Sequence, residues 1–447
     1  MKIKAKKMTN IKVRFAPSPT GHMHIGNTRT ALFNWLWAKK MGGAFMLRID
    51  DTDFARSKKE YEDSMRESLQ WLGLVWSEEA RQSARFERYK EITQKLIENG
   101  RIYPCYETAE ELEFKRKRSL SKGLPPIYDR QALNYTAQDI ERFEIEGRKP
   151  HYRFKLNAGE IKWQDAVRGE VKYEATNLSD PIIIREDGSY LYHLPSVIDD
   201  ADFGITHILR GEDHVTNTAA QIQMFEAIGG KVPTFAHLPL LTGKEGKLSK
   251  RLGSLGVREL KAEGVENMAI CSYLAKLGTS EDIHSFYSLE ELAETLDFSK
   301  IGRAQPKFDV EELKHFNTKH IHNMPFEAVQ NRVNVSADFW EKVKANIEIV
   351  DDIKVWEKIC VGEITPVIEN KELTDLAADL LPKTELTADV FNVWLGDVKA
   401  KTGLKGKDLF HPIRLALTGE VSGPELKTLL GLIGYDKAYQ RLKGQKA

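Results

Sequence analysis

A chain that leaves a short strand through two prolines and a glycine, and enters a helix directly afterwards, has few folds open to it. Ile11–Phe15 alternates apolar and polar residues as a half-buried strand does, and Ala16-Pro17-Ser18-Pro19-Thr20-Gly21 is a loop stiffened by its prolines. Thr28–Lys40 carries Ala31, Leu32, Trp35, Leu36 and Ala38 at helical spacing, and Gly42-Gly43 stops it. Phe45–Ile49 reads as a second strand, and Ser57–Leu72 as a helix with Tyr61, Met65, Leu69 and Leu72 on one stripe. Strand, helix, strand, helix predicts a parallel α/β sheet, in which ligands sit outside the carboxyl ends of the strands.

The pattern continues through a helix at 84–100 and a strand at Ile102–Tyr106, then loses its periodicity. Residues 107–190 mix a basic run, Lys115–Arg118, with a Leu124-Pro125-Pro126 turn and short β-like stretches at Tyr152–Leu156 and Pro181–Arg185, which reads as an inserted domain. The α/β pattern resumes with Thr206–Arg210, a helix at Asn217–Ile228 and Phe235–Leu241. Beyond 258 the chain is helical: Leu373, Leu376, Ala377, Leu380 and Leu381 share one face, Val390, Phe391, Val393, Trp394 and Val398 another, and Pro424 opens a last helix through Ile433.

Composition narrows the function. Hydrophobic residues at 41% and charged residues at 30% of 447 suit a globular chain of several domains, not a disordered one. Sixty-six basic and 66 acidic residues cancel, so nucleic-acid binding has to come from local basic surface. Cys105, Cys271 and Cys360 lie far apart in sequence, which excludes a disulfide framework and suits a reducing, cytoplasmic setting. Residues 1–10 read as a flexible extension without a signal-peptide core, and no apolar run of roughly 18 residues encodes a membrane span.

Two constellations carry chemistry. The first, Arg14 to Asn27, lies between the first strand and the first helix, where a helix N-terminus is expected to offer unpaired backbone N–H groups to a phosphate. There His24 and Asn27 can donate to phosphate oxygens and Gly26 lets a base approach the backbone. The second, Lys244-Glu245-Gly246-Lys247-Leu248-Ser249-Lys250-Arg251-Leu252-Gly253-Ser254, follows the last α/β strand and reads as a cationic loop able to close over polyphosphate.

In this order, across an α/β sheet with an insertion, the two resemble the HIGH and KMSKS signatures of class I aminoacyl-tRNA synthetases. Pro17-Ser18-Pro19-Thr20-Gly21, Arg48-Ile49-Asp50-Asp51-Thr52-Asp53, Trp71-Leu72-Gly73-Leu74, Val197-Ile198-Asp199-Asp200, Arg210-Gly211-Glu212-Asp213-His214 and His411 to Gly419 are similar to segments of the bacterial glutamyl-tRNA synthetases, from about Ile11 to the end. The resemblance implies a Rossmann-type parallel-sheet catalytic domain in two halves, 11–106 and 191–257. It further implies an inserted α+β acceptor-binding domain at 107–190, a helical stem-contact domain at 258–325 and a helical anticodon-binding region at 326–447. It implies a monomer that joins L-glutamate to tRNA(Glu) at the expense of ATP with Mg²⁺, and leaves open whether tRNA(Gln) is charged as well. By carry-over, His24 stabilises the α-phosphate, Lys250 the pyrophosphate with help from Lys247, and Gly26 and Asn27 meet ATP. Arg14 and Arg210 match positions that bind the carboxylates of glutamate, Asp50 the position that holds its amino group, and Ser18 and Tyr192 positions lining its pocket. Which arginine takes which carboxylate stays open.

The chain departs from the family pattern in places. Asn27 stands for the last histidine of HIGH, Leu248 and Arg251 for the methionine and final serine of KMSKS, Asp50 for a glutamate and Ser196 for an asparagine of some relatives. Some relatives bind zinc in the insertion through Cys-x-Cys and a later cysteine, and with Cys105 alone none is expected here. The helical pattern from 371 to 442 argues against a glutaminyl-tRNA synthetase, whose C-terminus is built of β-barrels. The same region argues against a truncated tRNA-modifying relative, and the retained His24, Lys250, Arg14 and Arg210 against an inactive tRNA-binding paralogue.

Overall fold

The computed structural model describes residues 11–243 and 255–447; the expected extension at 1–10 and both Lys247 and Lys250 lie outside the described residues. The chain divides into two compact units, one of residues 1–261 with 271–309 and one of 262–270 with 310–447.

The first unit is built on parallel strands. Strand β1 (Lys12–Phe15) leads to helix α1 (Ile25–Met41), β2 (Ala44–Ile49), α2 (Lys59–Trp71), β3 (Glu78–Arg81), α3 (Phe86–Glu98) and β4 (Ile102–Cys105). Helices α4 (Ala109–Ser121) and α5 (Ala137–Ile145) follow, then β5 (His151–Phe154), β6 (Glu160–Asp165), β7 (Gly169–Glu174) and β8 (Ile182–Ile184). Helix α6 (His193–Asp202), β9 (His207–Gly211), α7 (Val215–Ala227) and β10 (Thr234–Leu238) complete the α/β part.

β2 lies between β1 and β3, both parallel to it, and β10 lies between β9 and β6, again parallel. β1 meets β9 where Thr206 N–H donates to Lys12 O at 2.9 Å and Lys12 N–H to Thr206 Oγ1 at 2.9 Å. β1 and β9 are therefore neighbours from which the chain winds in opposite directions, the switch point at which open α/β sheets bind ligands. This is the Rossmann-like core, and buried Met46, Tyr89, Val197, Ile198, Phe225 and Phe235 fill it.

Within 107–190 the structure holds more regular elements than the sequence pattern suggests. β4, β5 and β8 form a separate antiparallel sheet, whereas the β6–β7 hairpin extends the sheet of β10 and β9. Helix α4, which carries the basic run, buries none of its residues; a capping box holds it, with Thr108 Oγ1 accepting from Glu111 N–H and Glu111 accepting from Thr108 N–H.

The second unit is helical. Its helices at 353–361, 371–379, 388–402 and 407–418 are followed by Leu426–Ile433, which is not the last, because Tyr435–Leu442 forms one more helix beyond Gly434. Trp340 and Trp394 are buried whole, and Arg441 is completely covered, donating to the carbonyls of Ile359, Leu417, Gly362 and Ala447 at 2.7 to 3.1 Å. No described helix is long and apolar enough to cross a membrane.

Candidate active site

A cleft of about 460 Å³ opens at the carboxyl ends of β1 and β9. Arg14 projects from β1, Asp50 follows β2, Arg210 lies on β9 and Tyr192 precedes α6. Ser18 comes from the proline loop, and His24, Gly26 and Asn27 from the start of α1. All eight line this one cleft.

His24 is the N-cap of α1. Its Nδ1 accepts from the Gly26 N–H at 3.1 Å and the Asn27 N–H at 3.3 Å, so that nitrogen carries a lone pair. Burial pushes its pKa down, so the ring is neutral at pH 7 and its remaining hydrogen sits on Nε2. Gly26 suits that cap, because a Cβ there would lie 3.1 Å from the imidazole and press on it. The expectation of unpaired N–H groups at this helix start is overturned: Ile25 N–H donates to Leu255 O at 3.2 Å, Thr28 N–H to His24 O at 3.0 Å, and the two between them to the imidazole. Phosphate would meet side-chain donors and the helix dipole, not bare backbone.

The contact from Ile25 brings the two motif regions together. Leu255 and Gly256 follow directly on the second motif, and His24 pairs with Gly256 in an antiparallel bridge. A Cβ at Gly256 would come 2.7 Å from the Met23 carbonyl oxygen, so the close approach needs glycine.

On the opposite wall two cations and two carboxylates close a buried quartet. Arg14 Nε and Nη2 donate to the two oxygens of Asp200 at 3.0 and 3.2 Å, and Arg48 Nη1 donates to Asp200 Oδ1 at 2.7 Å. Arg48 Nε and Nη2 grip Asp50 at 2.6 and 3.0 Å, and Nη2 reaches Ser196 Oγ at 3.4 Å. Burial works against the charge of Asp200, but Arg14 and Arg48 outweigh it and hold that carboxyl below the usual range. For Asp50 burial wins over Arg48 and pushes its pKa up to about 6. Arg48 and Asp200 are thus the supports of Arg14 and Asp50. Their motifs were visible in the sequence, but nothing local shows that residues from β2 and α6 share one ion network.

Arg210 is set differently. It is 5% exposed and donates to Tyr192 Oη at 2.9 Å, Thr218 Oγ1 at 2.6 Å and His237 Nε2 at 3.3 Å, all uncharged acceptors. Burial lowers its pKa, and among the described residues no carboxylate pairs with it. An uncompensated buried guanidinium beside a cleft is a receptor for an anion, most naturally a carboxylate.

A separate cluster gathers side chains of metal-ligating type. Cys105, Glu107 and His151, all buried, bring one ligand atom each within 4.8 Å of one another, and Glu107 Oε2 and His151 Nε2 make no hydrogen bond. The surroundings do not suit a divalent cation. Tyr128 donates its hydroxyl to Glu107 Oε1 at 2.8 Å and reaches Cys105 Sγ at 3.6 Å, Lys115 lies 3.5 Å from the same carboxylate, and Arg153 stacks 3.9 Å over the Tyr128 ring. Burial also pushes the Cys105 thiol up to about 12, away from the thiolate that ligates zinc.

Known proteins with this architecture share its chemistry. A family profile described as tRNA synthetases class I (E and Q), catalytic domain, matches residues 10–315, and one described as an anticodon binding domain matches residues 288–445. A protein of Maricaulis maris named glutamate–tRNA ligase 1 is 52% identical over 443 residues, covering 98% of this chain and 100% of its own. One of Hyphomonas neptunium named glutamate–tRNA ligase 2 is 51% identical over 444 residues, covering 97% and 100%. The crystal structure of a glutamate tRNA ligase from Elizabethkingia meningosepticum in complex with its amino acid superposes with a TM-score of 0.78 at 28% identity, over 97% of this chain and 98% of that one.

Proposed function

The chain belongs to the class I glutamate–tRNA ligases, and from that membership we propose how its own residues divide the reaction. The enzyme activates glutamate with ATP, releasing pyrophosphate, and passes the glutamyl group from the adenylate to the 3′-terminal adenosine of tRNA(Glu). In the first step a glutamate carboxylate oxygen attacks the α-phosphorus and the bond to the pyrophosphate oxygen breaks. In the second a ribose hydroxyl attacks the acyl carbon and AMP leaves. No covalent bond to the protein is needed, so positioning and preorganised donors carry the rate.

The observation that carries the assignment of roles is the convergence on one cleft of a neutral, helix-capping imidazole and a buried arginine without an anionic partner. Glutamate lies between Arg14 and Arg210, its two carboxylates taken by these guanidiniums, its ammonium by Asp50, its chain against Ser18 and Tyr192. ATP lies over the start of α1, with Gly26 and Asn27 beside it. His24 donates its Nε2 hydrogen to an α-phosphate oxygen as charge builds there. Lys250, assisted by Lys247, neutralises the departing pyrophosphate.

Mg²⁺ shares the phosphate charge when bound. Asp50 is committed to Arg48, and Asp213 is the other carboxylate among the described lining residues, so the ion is held mainly by the triphosphate. We assign no zinc to the insertion, since Lys115 and Arg153 already crowd the cluster with positive charge and burial keeps the Cys105 thiol protonated. In this reading residues 107–190 grip the acceptor end, 258–325 contact the stem and 326–447 read the anticodon of tRNA(Glu), tRNA(Gln) is left to the charging test, and the protein acts as a cytoplasmic monomer.

Incubating the protein with ATP, labelled glutamate and purified tRNA(Glu) or tRNA(Gln) tests this. ATP-dependent label on tRNA(Glu) is expected, and label on tRNA(Gln) would establish the wider specificity. Folded protein that charges neither tRNA overturns the reading.

A further inference from the structure

Arg210 reads as a substrate ligand, yet most of its hydrogens are spent on the protein. A guanidinium has five N–H groups. Nε faces His237, Nη2 serves Thr218 Oγ1 and, at 3.5 Å, the His214 carbonyl, and one hydrogen of Nη1 goes to Tyr192. That leaves one Nη1 hydrogen for a ligand, so the angle of the whole group is set by what surrounds it.

The contact at Nε imposes a condition. Guanidinium nitrogens cannot accept, so His237 Nε2 has to present a lone pair to it. The Thr218 hydroxyl, which accepts from Arg210 Nη2, lies 2.9 Å from the same nitrogen and 3.2 Å from the His214 carbonyl, so it can give its hydrogen to either and is compatible with that lone pair. His237 therefore has to be neutral with its hydrogen on Nδ1. In the other tautomer, or as an imidazolium, an N–H would point at an N–H inside a fully buried site.

Asp165 enforces that tautomer. Its Oδ2 lies 2.5 Å from His237 Nδ1, with neither side chain exposed at all. Its other oxygen accepts from the backbone N–H groups of Val167, Arg168 and His237 at 3.0 to 3.2 Å, which fixes the carboxylate at the end of β6. These hydrogen bonds outweigh burial and hold Asp165 down to about 2, ionised at every working pH, while burial keeps His237 below its ordinary value.

We propose that Asp165 and His237 are positioning residues for Arg210: the carboxylate fixes the imidazole tautomer, and the imidazole fixes the guanidinium in the glutamate-binding plane. This rests on the reading of Arg210 as a glutamate ligand. Asp165 ends β6, which pairs with β10 at Phe235↔Asp165, so Arg210 on β9 is braced across β10 from the β6–β7 hairpin.

Two measurements decide it. On the ¹⁵N-histidine-labelled wild-type chain, the His237 signals, assigned by their loss in His237→Gln, should show a protonated Nδ1 and a bare Nε2 that do not titrate between pH 6 and 8. Kinetically, the isosteric Asp165→Asn should raise the KM for glutamate about tenfold and leave the KM for ATP within about twofold. His237→Gln keeps an amide oxygen as acceptor, so it should retain a glutamate KM within about threefold of wild type, whereas His237→Leu should lose about tenfold. If Asp165→Asn does not fold, the wild-type tautomer and the Gln against Leu comparison still decide. A hydrogen on Nε2, an unchanged glutamate KM in folded Asp165→Asn, or equal losses for glutamate and ATP overturns the proposal. Arg210→Lys separates the two levels. If it leaves the glutamate KM alone, the reading of Arg210 falls; if it cripples glutamate binding while Asp165→Asn is silent, only the present inference falls.

Discussion

At the scale of single residues, Asp50 is the group whose charge state is most open to experiment. An aspartate at about 6 instead of the ordinary 3.8 is ionised at pH 7.5 and half protonated near pH 6. If its carboxylate holds the ammonium of glutamate, kcat/KM for glutamate, measured with saturating Mg²⁺ so that ATP stays fully ionised, should fall with unit slope below about pH 6. Asp50→Asn should remove that limb and leave a low, pH-independent value; a wild-type profile flat to pH 5 would show that this carboxylate does not hold the ammonium. The linkage to stability runs the other way. Because the folded state holds this proton more tightly than the unfolded chain, the contribution of Asp50 favours folding at low pH and is lost as pH rises from about 4 through about 6. The sequence could name Asp50 because it sits in a recognisable run. It could not show why the carboxyl is perturbed, since its burial and the approach of Asp199 and Arg14 arise only in three dimensions.

At the scale of elements, α1 shows how one side chain serves fold and chemistry together. Capping by His24 satisfies two N–H groups of the first turn and, by occupying Nδ1, turns Nε2 outward as a donor. The two roles separate by substitution. His24→Asn keeps a good N-cap acceptor but is too short to reach a phosphate, so chemical or thermal denaturation should place it within about 0.5 kcal/mol of wild type. Adenylate formation should nevertheless drop about 10²-fold or more. His24→Ala should show the same kinetic loss and cost about 1 kcal/mol of stability besides. Activity retained by His24→Asn would mean that the imidazole acts only as a cap. Elements with apolar periodicity, such as β1, α1, β2 and α2, were legible within a few residues of their ends. β3 was not, because Glu78-Glu79-Ala80-Arg81 carries no apolar alternation and is a strand only through its parallel pairing with β2. The β6–β7 hairpin escaped for a related reason: its alternating Ile161 and Trp163 matter through β10, a strand far along the chain. The pair Asp165 and His237, 72 positions apart, could not be found without the fold that joins them.

For the whole molecule, the division into two units makes their stabilities separable. The cleft proposed to take glutamate and ATP has all its described lining residues in the first unit. The second is pinned by Arg441, a fully buried cation whose hydrogen bonds to four carbonyls join the helices at 353–361 and 407–418 to the last residue, and whose pKa burial lowers for want of a carboxylate. Arg441→Met keeps most of the volume but leaves buried carbonyls unsatisfied, each costing about 1–3 kcal/mol, so the second unit should lose several kcal/mol. Calorimetry should then resolve two thermal transitions, the lower one carrying the shift. Glutamate binding at 25 °C, followed by titration calorimetry, should be within about twofold of wild type, because no group of the cleft is touched. The KM for tRNA should rise instead, since the residues read as anticodon-binding lie in the loosened unit. A single transition that moves as one body, with glutamate binding lost in proportion, would mean that the two units fold as one cooperative whole and that the activating and recognising halves cannot be uncoupled by stability alone.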